Sequence, residues 1–270
     1  MKPKLVAKIE SEESSTKLAV LIDADNAQPS AFEYLLPEIA KFGEATVKRI
    51  YGDFTSPNSA QWRVVLNEFA IKPVQQFAYT KGKNATDSTL IIDAMDLLYT
   101  RRFDGFVLIS SDSDFTGLAT RIREEGLLVF GFGKKTTPDA FRNACHKFVF
   151  TEILMPQSEP KNHVTKESSK SEPNLEIATI LPPESKDLIK TDLPLEFIKQ
   201  ALEQSADESG WANIGTFGSY LVKLRSDFDS RQYGYRTLSK LIKSRSDIFE
   251  IQERVHPTSS DTIIYLRVKN

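Results

Sequence analysis

The sequence predicts an α/β protein in which a parallel sheet carries helices on both faces, followed by a small C-terminal winged-helix domain. Three observations predict this fold class. Short apolar runs alternate with helical patterns from residue 17 to about residue 155. A stretch rich in Pro, Ser, Lys and Glu, without aromatic residues, then extends to residue 191. Helical periodicity returns after residue 192 and gives way to two short β-like segments.

The composition narrows the class of protein. The chain has 270 residues, of which 40% are hydrophobic and 27% charged, as is ordinary for a globular protein with a buried core. Its formal net charge is −2, so any site for a polyanion has to be local. The single cysteine, Cys145, excludes an intramolecular disulfide framework and a Cys-rich zinc site. No apolar run reaches membrane-spanning length, and we expect a cytoplasmic protein with no membrane partner.

The composition also divides the chain into four regions. We expect a flexible N-terminal arm at residues 1–16, a first domain at residues 17–155, a flexible linker at residues 156–191 and a second domain at residues 192–270. The linker composition cannot bury enough apolar surface to offset the conformational entropy that ordering would cost.

Each element of the first domain follows from its local pattern. Leu18–Asp23 is an apolar run that ends in an acid, which is typical of a buried strand. Pro29 suits the first turn of a helix that runs to about Phe42 and stops at Gly43, with Pro37 as a kink or break. Further strands are predicted at Ala45–Tyr51, Pro73–Ala78, Gly105–Ser110, Leu127–Phe132 and Phe148–Thr151. Further helices are predicted at Ala60–Phe69, Asp87–Thr100 (behind an N-cap at Thr86), Phe115–Glu125 and Asp139–Ala144.

Three polar segments do not fit a core: Asp23-Ala24-Asp25-Asn26, Asn84-Ala85-Thr86-Asp87 and Ser110-Ser111-Asp112-Ser113-Asp114. The first and third directly follow apolar strands, so their acids fall at the carboxyl edge of the sheet, where ligands of parallel sheets bind. At about 100° per residue, Asp87 lies about 20° from the centre of the apolar stripe of its helix and faces the sheet. Asp93 lies on the flank of that helix, about 100° away.

Crowded carboxylates repel one another, and a hard divalent cation with oxygen ligands relieves that repulsion. We therefore predict that Asp23, Asp87 and Asp112 bind Mg²⁺ or Mn²⁺, with Asp114 as a fourth ligand. The bound ion would activate water and neutralise charge on a phosphoryl oxygen. The candidates for hydrogen bonds to a phosphate, or for orienting the ligands, are Asn26, Ser110 and Ser113.

Each acid also has a purely structural explanation. Asp112 or Asp114 could cap the following helix, and each alone is more often a cap than a ligand. Asp23 and Asp25 could form a turn, and Asp87 could be a first-turn acid favoured by the helix dipole. The coincidence of three such segments at one edge of one sheet favours a shared acidic site.

The motifs LIDADN, TDSTLIIDAMDLL and VLISSDSDF together resemble the NYN domain, a PIN-like nuclease fold, over about Lys17 to Leu154. The resemblance implies a Rossmann-like α/β domain that cuts RNA with a few aspartates and Mg²⁺ or Mn²⁺. Its acidic positions correspond to Asp23, Asp87, Asp112 and Asp114, its strand-one asparagine to Asn26, and a recurrent further acid to Asp93. Secondary site candidates are Asp25, Asp93, Ser110 and Ser113. Ser111 departs from the glycine that many relatives carry in this loop.

The second domain has three predicted helices, at Leu193–Gln204, from Trp211 to about Leu224 and at Tyr235–Lys243, before a hairpin of Ile248–Gln252 and Ile263–Val268. Three helices and a hairpin form a winged helix. The run WANIGTFGSYLVK, then DFDSRQYGYRTLSKLIKS and the hairpin, resembles the OST-HTH (LOTUS) domain over about Asp192 to Lys269. This resemblance implies binding of RNA or of a partner protein.

The nucleic-acid-binding candidates of this domain are Arg231, Tyr235, Arg236, Lys240 and Lys243. On the predicted helix, Arg236, Lys240 and Lys243 follow the i, i+4, i+7 spacing and share one face. Basic side chains would contact phosphates and tyrosines would stack on unpaired bases, although a solvated helix face explains the pattern equally well. Trp211 is more typical of a core residue than of a surface on which bases stack.

These patterns lead to one functional hypothesis and two rivals. The hypothesis is a metal-dependent ribonuclease that hydrolyses RNA phosphodiester bonds and carries an RNA- or partner-binding winged helix. Whether the protein forms a homodimer is left open. The first rival is a non-catalytic RNA-binding or scaffold protein with a vestigial acidic site. The second is a phosphatase of the haloacid-dehalogenase type, which is disfavoured because no later Asp-Asp pair follows the DADN motif.

Overall fold

The computed structural model describes residues 15–55, 60–77, 85–155, 193–255 and 262–269. The predicted linker lies outside these residues, as does the predicted arm except for its last two positions. Within them, the first domain contains the strands β1 (Lys17–Asp23), β2 (Glu44–Gly52), β3 (Lys72–Gln75), β4 (Gly105–Ile109), β5 (Leu128–Gly133) and β6 (Lys147–Phe150). Its helices are α1 (Phe32–Ile39), α2 (Ala60–Glu68), α3 (Ala85–Tyr99), α4 (Thr116–Glu124) and α5 (Asp139–Ala144).

The six strands form one parallel sheet in the order β3-β2-β1-β4-β5-β6. Along the chain, the first three strands run from the centre of the sheet at β1 to one edge at β3. The next three run from the centre at β4 to the opposite edge at β6. The strand order therefore reverses between β1 and β4, where Ile22 pairs with Ile109. In open parallel sheets this reversal opens a crevice at the carboxyl ends of the two central strands.

Each face of the sheet has its own apolar core, because alternate side chains of a strand point to opposite faces. On one face, Leu21 and Leu108 pack with Leu90 and Ala94 of α3 and with residues of α4 and α5. On the other, strand residues that include Ile22 pack with α1 and α2, where the rings of Phe32 and Trp62 meet edge to face at 5.4 Å. The predicted parallel sheet with helices on both faces is confirmed.

Several boundaries differ from the predictions. A 3₁₀ turn at Pro29–Ala31 precedes α1, which accommodates Pro37 within the helix and ends at Ile39. Helix α3 begins at Ala85, so Thr86 lies inside the helix and is not its N-cap. Strand β6 begins one residue earlier than predicted, at Lys147, and β3 ends at Gln75.

The second domain consists of α6 (Leu195–Ser205), β7 (Ala212–Asn213), α7 (Ile214–Leu224), α8 (Leu238–Ser244), β8 (Phe249–Val255) and β9 (Thr262–Val268). The strands form an antiparallel sheet in the order β7-β9-β8, and the helices cover one face of it. The predicted winged-helix arrangement is confirmed. The prediction that Trp211 starts a helix is wrong, because residues 212–213 pair with β9 and the Asn213 side chain caps α7.

The segment between α7 and α8 contacts the edge strand β6 of the first domain, and we call these contacts the interdomain seam. The Phe148 amide donates to the Ser226 carbonyl oxygen at 2.9 Å, and the Ser226 hydroxyl donates to the Arg142 carbonyl oxygen at 2.6 Å. Arg142 forms an ion pair with Asp227. Arg231 forms a bidentate pair with Glu38, at 2.7 and 3.0 Å. Backbone and charged contacts thus join the two domains.

In the part of the chain that the structure describes, no helix combines the length and apolar character that crossing a membrane requires. The cytoplasmic location stays a prediction.

Candidate functional site

The carboxylate of Asp23 lies at the end of β1 and is fully buried. Its Oδ1 accepts a hydrogen bond from the Asp25 amide at 3.0 Å. Its Oδ2 accepts from the Asn26 side-chain amide and from the Ser110 hydroxyl, both at 2.7 Å. Burial raises the pKa of Asp23, although the hydrogen bonds from Ser110 and Asn26 act in the opposite direction. The Asp23 side chain therefore ties the ends of the two central strands together.

The loop after β4 presents the second set of acids. The Ser110 hydroxyl accepts from the Asp112 amide at 3.1 Å, and Asp112 Oδ1 accepts from the Asp114 amide at 2.9 Å. Asp112 thereby caps the 3₁₀ turn Ser113–Phe115 that leads into α4. The capping explanation is thus correct, and it occupies one oxygen of Asp112, while Oδ2 has no described hydrogen-bond donor.

Helix α3 supplies the third acid from the other side of the crevice. Leu90, Ala94, Leu97 and Leu98 are buried against the sheet, and Asp87 in the first turn follows the same stripe, as helical geometry predicts. One carboxylate oxygen from each of Asp87, Asp112 and Asp114 lies within 4.8 Å of the others. We call these three residues the acidic edge. The acids that the sequence placed on a strand end and on a helix do come together.

The electrostatics of the acidic edge follow from this crowding. Desolvation, and then the negative charges of Asp23, Asp112 and Asp114, raise the pKa of Asp87 from an ordinary 3.8 to about 6. Among the described residues Asp87 forms no ion pair. A bound cation would supply the missing positive charge, and three carboxylates are the oxygen donors that Mg²⁺ and Mn²⁺ take.

Asp23 lies next to this group but is not one of its three members. Both of its oxygens already accept hydrogen bonds from neighbouring groups. Its position fits a residue that orients the β4 loop through Ser110, and a direct contact with a metal ion stays a proposal.

Asp93, a secondary candidate, lies away from the acidic edge. Its carboxylate pairs with the Arg49 guanidinium and accepts a hydrogen bond from the Tyr51 hydroxyl. Burial and then the Asp93 hydrogen bond raise the pKa of Tyr51, which is fully buried. These contacts fix α3 on β2 and so fix the direction in which Asp87 points.

The remaining candidates of the first domain contribute less. The side chains of Asp25 and Ser113 are exposed, and their described hydrogen bonds use backbone groups. Ser111, which departs from the family's glycine, accepts a hydrogen bond from the Lys134 amide at 2.9 Å. The serine therefore links the acidic loop to the end of β5.

The structure separates the nucleic-acid-binding candidates of the second domain. Arg231 lies in the interdomain seam, where it pairs with Glu38 and Asp229, and Lys243 pairs with Glu253 at 2.8 Å. Arg236 precedes the α8 N-cap, Thr237, so the expectation that it shares a helical face with Lys240 and Lys243 is wrong. Tyr235 packs against the apolar core. Arg236 and Lys240 are exposed.

Sequence reasoning missed two groups of residues. Arg49 and Tyr51 stand two apart in β2, so they share a face of the sheet, and this period-two signal could have paired them with Asp93. The seam residues Asp227 and Asp229 gave no local signal, because their partners lie in another domain.

Comparisons with known proteins support both resemblances. The NYN domain model matches residues 17–154, more than half of the chain, and the OST-HTH/LOTUS domain model matches residues 190–260. The family order inferred from the sequence is confirmed, whereas the predicted domain boundaries and the roles of individual site residues stay predictions. No curated protein matches the chain.

Three solved structures are similar to parts of the chain. An uncharacterised protein of Nitrosomonas europaea is 45% identical, covering 36% of this chain and 92% of its own, with a TM-score of 0.31. A protein of unknown function from Vibrio parahaemolyticus is 18% identical, covering 51% of this chain and 94% of its own, with a TM-score of 0.45. A segment of a Chromobacterium violaceum protein is 32% identical, covering 30% of this chain and 87% of its own, with a TM-score of 0.24.

Proposed function

We propose that this chain, which belongs to the NYN family and carries an OST-HTH/LOTUS domain after its NYN domain, hydrolyses RNA phosphodiester bonds with a divalent metal ion. NYN domains are PIN-like nuclease domains, and OST-HTH/LOTUS domains bind RNA. The observation that carries the proposal is the convergence of three carboxylates at the point where the strand order of the sheet reverses.

The donor set fits a hard cation. Asp87, Asp112 and Asp114 each offer one oxygen within 4.8 Å of the others, and burial and then the neighbouring carboxylates raise the pKa of Asp87. These three residues would hold Mg²⁺ or Mn²⁺, with Asp23 beside them. A bound ion of this kind supplies a Lewis acid that lowers the pKa of water and stabilises charge on a phosphoryl oxygen.

The surrounding residues hold the acids in place. Asn26 and Ser110 donate to Asp23, and Ser110 also accepts from the Asp112 amide, so one hydroxyl links the ends of both central strands. Asp93 fixes helix α3 through Arg49. These contacts orient the carboxylates before any ligand binds, which reduces the reorganisation that cation binding requires.

The winged helix would bring RNA to this site. Because the interdomain seam joins it to β6, RNA bound by the second domain would stay near the first, which raises the local substrate concentration. Arg236 and Lys240 are exposed basic residues of this domain that could contact phosphates.

The test is a cleavage assay with the full chain on single-stranded and duplex RNA, with Mg²⁺, Mn²⁺ or EDTA. We expect metal-dependent cleavage, and a loss of at least about a hundredfold in Asp112→Asn with RNA binding retained. Asp96→Asn is the matched control, because Asp96 lies exposed on α3 outside the acidic edge.

Equal cleavage by the parent chain and Asp112→Asn in Mn²⁺ would refute the assignment of this residue. RNA binding without cleavage in any metal, together with no thermal stabilisation by millimolar Mn²⁺, would instead favour a non-catalytic RNA-binding protein.

A further inference from the structure

We propose that the outer face of the winged-helix sheet binds unpaired bases of single-stranded RNA. This face is formed by Trp211, Arg254, Tyr265 and Arg267, and we call it the aromatic–arginine face. The inference rests on the proposed function, since it names the surface by which the second domain would hold its RNA.

Strand alternation builds the aromatic–arginine face. In β9, Leu266 is fully buried in the core, so its neighbours Tyr265 and Arg267 point to the opposite side of the sheet. Tyr265 pairs in register with Gln252 of β8 and with Asn213 of β7. Trp211 immediately precedes β7 and Arg254 lies two residues beyond Gln252, which puts all four side chains on one surface.

The two guanidinium groups lie against the two aromatic rings of this face. The Arg254 guanidinium carbon lies 4.3 Å from the Tyr265 ring centroid and 5.6 Å from that of Trp211. The Arg267 guanidinium carbon lies 4.7 Å from the Trp211 centroid. Trp211, Tyr265 and Arg254 are partly exposed, and Arg267 is exposed. Unpaired bases stack on aromatic rings and on guanidinium planes, and here the protein holds both kinds of plane in place.

The charges of this face fit a nucleic acid. Arg267 pairs with Glu250 at 2.7 Å, but Arg254 donates only to the Gln252 side-chain oxygen and forms no ion pair among the described residues. One guanidinium beside two aromatic rings is therefore available to a phosphate. Two of the basic residues of this domain that the sequence suggested for RNA binding, Arg231 and Lys243, are already paired with acids.

Single-stranded RNA suits this surface better than duplex. The deep major groove of an A-form helix does not admit side chains on a broad sheet face, and paired bases do not expose their flat faces for stacking. A single strand can splay its bases onto the rings while its phosphates meet Arg254.

The test uses the full chain carrying Asp112→Asn, so that RNA remains uncut, and a fluorescently labelled single-stranded RNA of mixed sequence with the matched duplex. Arg254→Lys keeps the charge and removes the plane, and Trp211→Leu removes the largest ring. We expect each to weaken single-strand binding about tenfold or more, with a smaller effect on duplex. Arg236→Gln tests the alternative that the RNA binds near α8, and Lys223→Gln, which changes an exposed basic residue of α7, is the control.

Tryptophan fluorescence gives a second readout, which needs no substitution on the aromatic–arginine face. The chain has two tryptophans, and Trp62 is buried in the first domain, so a Trp62→Phe chain reports Trp211 alone. We expect unlabelled single-stranded RNA to quench this fluorescence at the concentrations at which it binds. Thermal unfolding of every variant checks that it folds.

The outcomes separate this inference from the proposed function. If the parent binds RNA, Arg254→Lys binds equally well and Trp211 fluorescence does not change, the face is not the RNA site, although the ribonuclease proposal stands. A parent that binds no RNA overturns both. If Arg236→Gln alone weakens RNA binding, the RNA lies near α8 and this inference is overturned. If RNA quenches the Trp211 fluorescence but Arg254→Lys binds RNA as the parent does, the Arg254 guanidinium has no part in binding.

Discussion

The acidic edge and the interdomain seam both bring carboxylates out of water, yet they differ in what surrounds them. In the seam, burial acts to raise the pKa of Glu38 and of Asp229, but hydrogen bonds from Arg231 hold both below their usual values. At the acidic edge, burial and neighbouring carboxylates raise the pKa of Asp87 to about 6. Desolvation therefore acts in the same direction at both places, but the pKa shifts that result have opposite signs.

The difference is between acids that have a counter-charge within the protein and a cluster of acids that we propose to be functional. The seam contains its own counter-charge, a guanidinium that bridges two domains, so its acids stabilise the fold as they stand. At the acidic edge, Asp87 has no ion-pair partner among the described residues, and a carboxyl group with a raised pKa in a crevice is a candidate for a functional site.

The largest effect is expected from removing the seam's counter-charge. Arg231→Met leaves Glu38 and Asp229 buried without their guanidinium, which we expect to cost about 3 kcal/mol. Thermal unfolding combined with limited proteolysis between the domains measures this loss. Arg245→Met is the control, because its pair with Asp247 is more exposed and should contribute less than about 1 kcal/mol. Equal losses in the two variants would contradict the role of the seam.

A smaller loss of stability is expected from weakening the contact between helix α3 and strand β2. Asp93→Asn weakens the pair with Arg49 and the hydrogen bond from Tyr51, and we expect it to destabilise the chain by about 2 kcal/mol. Denaturant unfolding checks this value, with Asp96→Asn as the exposed control. A stability equal to that of the parent would mean that Asp93 does not anchor α3.

The smallest effect has the opposite sign. With EDTA at pH 7, Asp87→Asn should stabilise the chain by about 1 kcal/mol after allowance for solvent screening, because it removes a charge that the folded state disfavours. A carboxyl group whose pKa is raised by folding stabilises the folded state below pH 3.8, and this contribution is lost as the pH rises through about 6. The stability advantage of Asp87→Asn over the parent should therefore vanish below about pH 4.

Thermal unfolding across this pH range, with EDTA and with Mn²⁺, measures the Asp87→Asn effect. In Mn²⁺ the order should reverse, since the parent gains the stabilisation of the bound ion. If the variant is less stable than the parent in EDTA at pH 7, the negative charge of Asp87 is already offset within the folded chain.

Much of the fold could be predicted from the sequence because its signals are local. Apolar runs such as Leu18–Asp23 gave the strands, and the helical angle of Asp87 gave its direction toward the sheet. The convergence of Asp87 with Asp112 followed from the general rule that strand ends of a parallel sheet share an edge.

The features that sequence reasoning missed or got wrong depend on distant partners. Asp93 and Arg49 are 44 residues apart and Arg231 and Glu38 are 193 apart, so neither pair leaves a periodic signal. Trp211 follows a helical pattern in the sequence, but β9 draws the residues after it into a sheet. Tertiary pairing overrides local propensity at such positions.

The contact between Phe148 and Ser226 has a further consequence for β6. This strand is the last of the sheet, and an uncovered last strand offers unpaired amides and carbonyls to any extended chain that reaches it. The Ser226 carbonyl oxygen of the second domain accepts a hydrogen bond from the Phe148 amide, so the second domain occupies part of this edge. Truncating the chain after the first domain would therefore uncover that part of β6 as well as remove the OST-HTH/LOTUS domain.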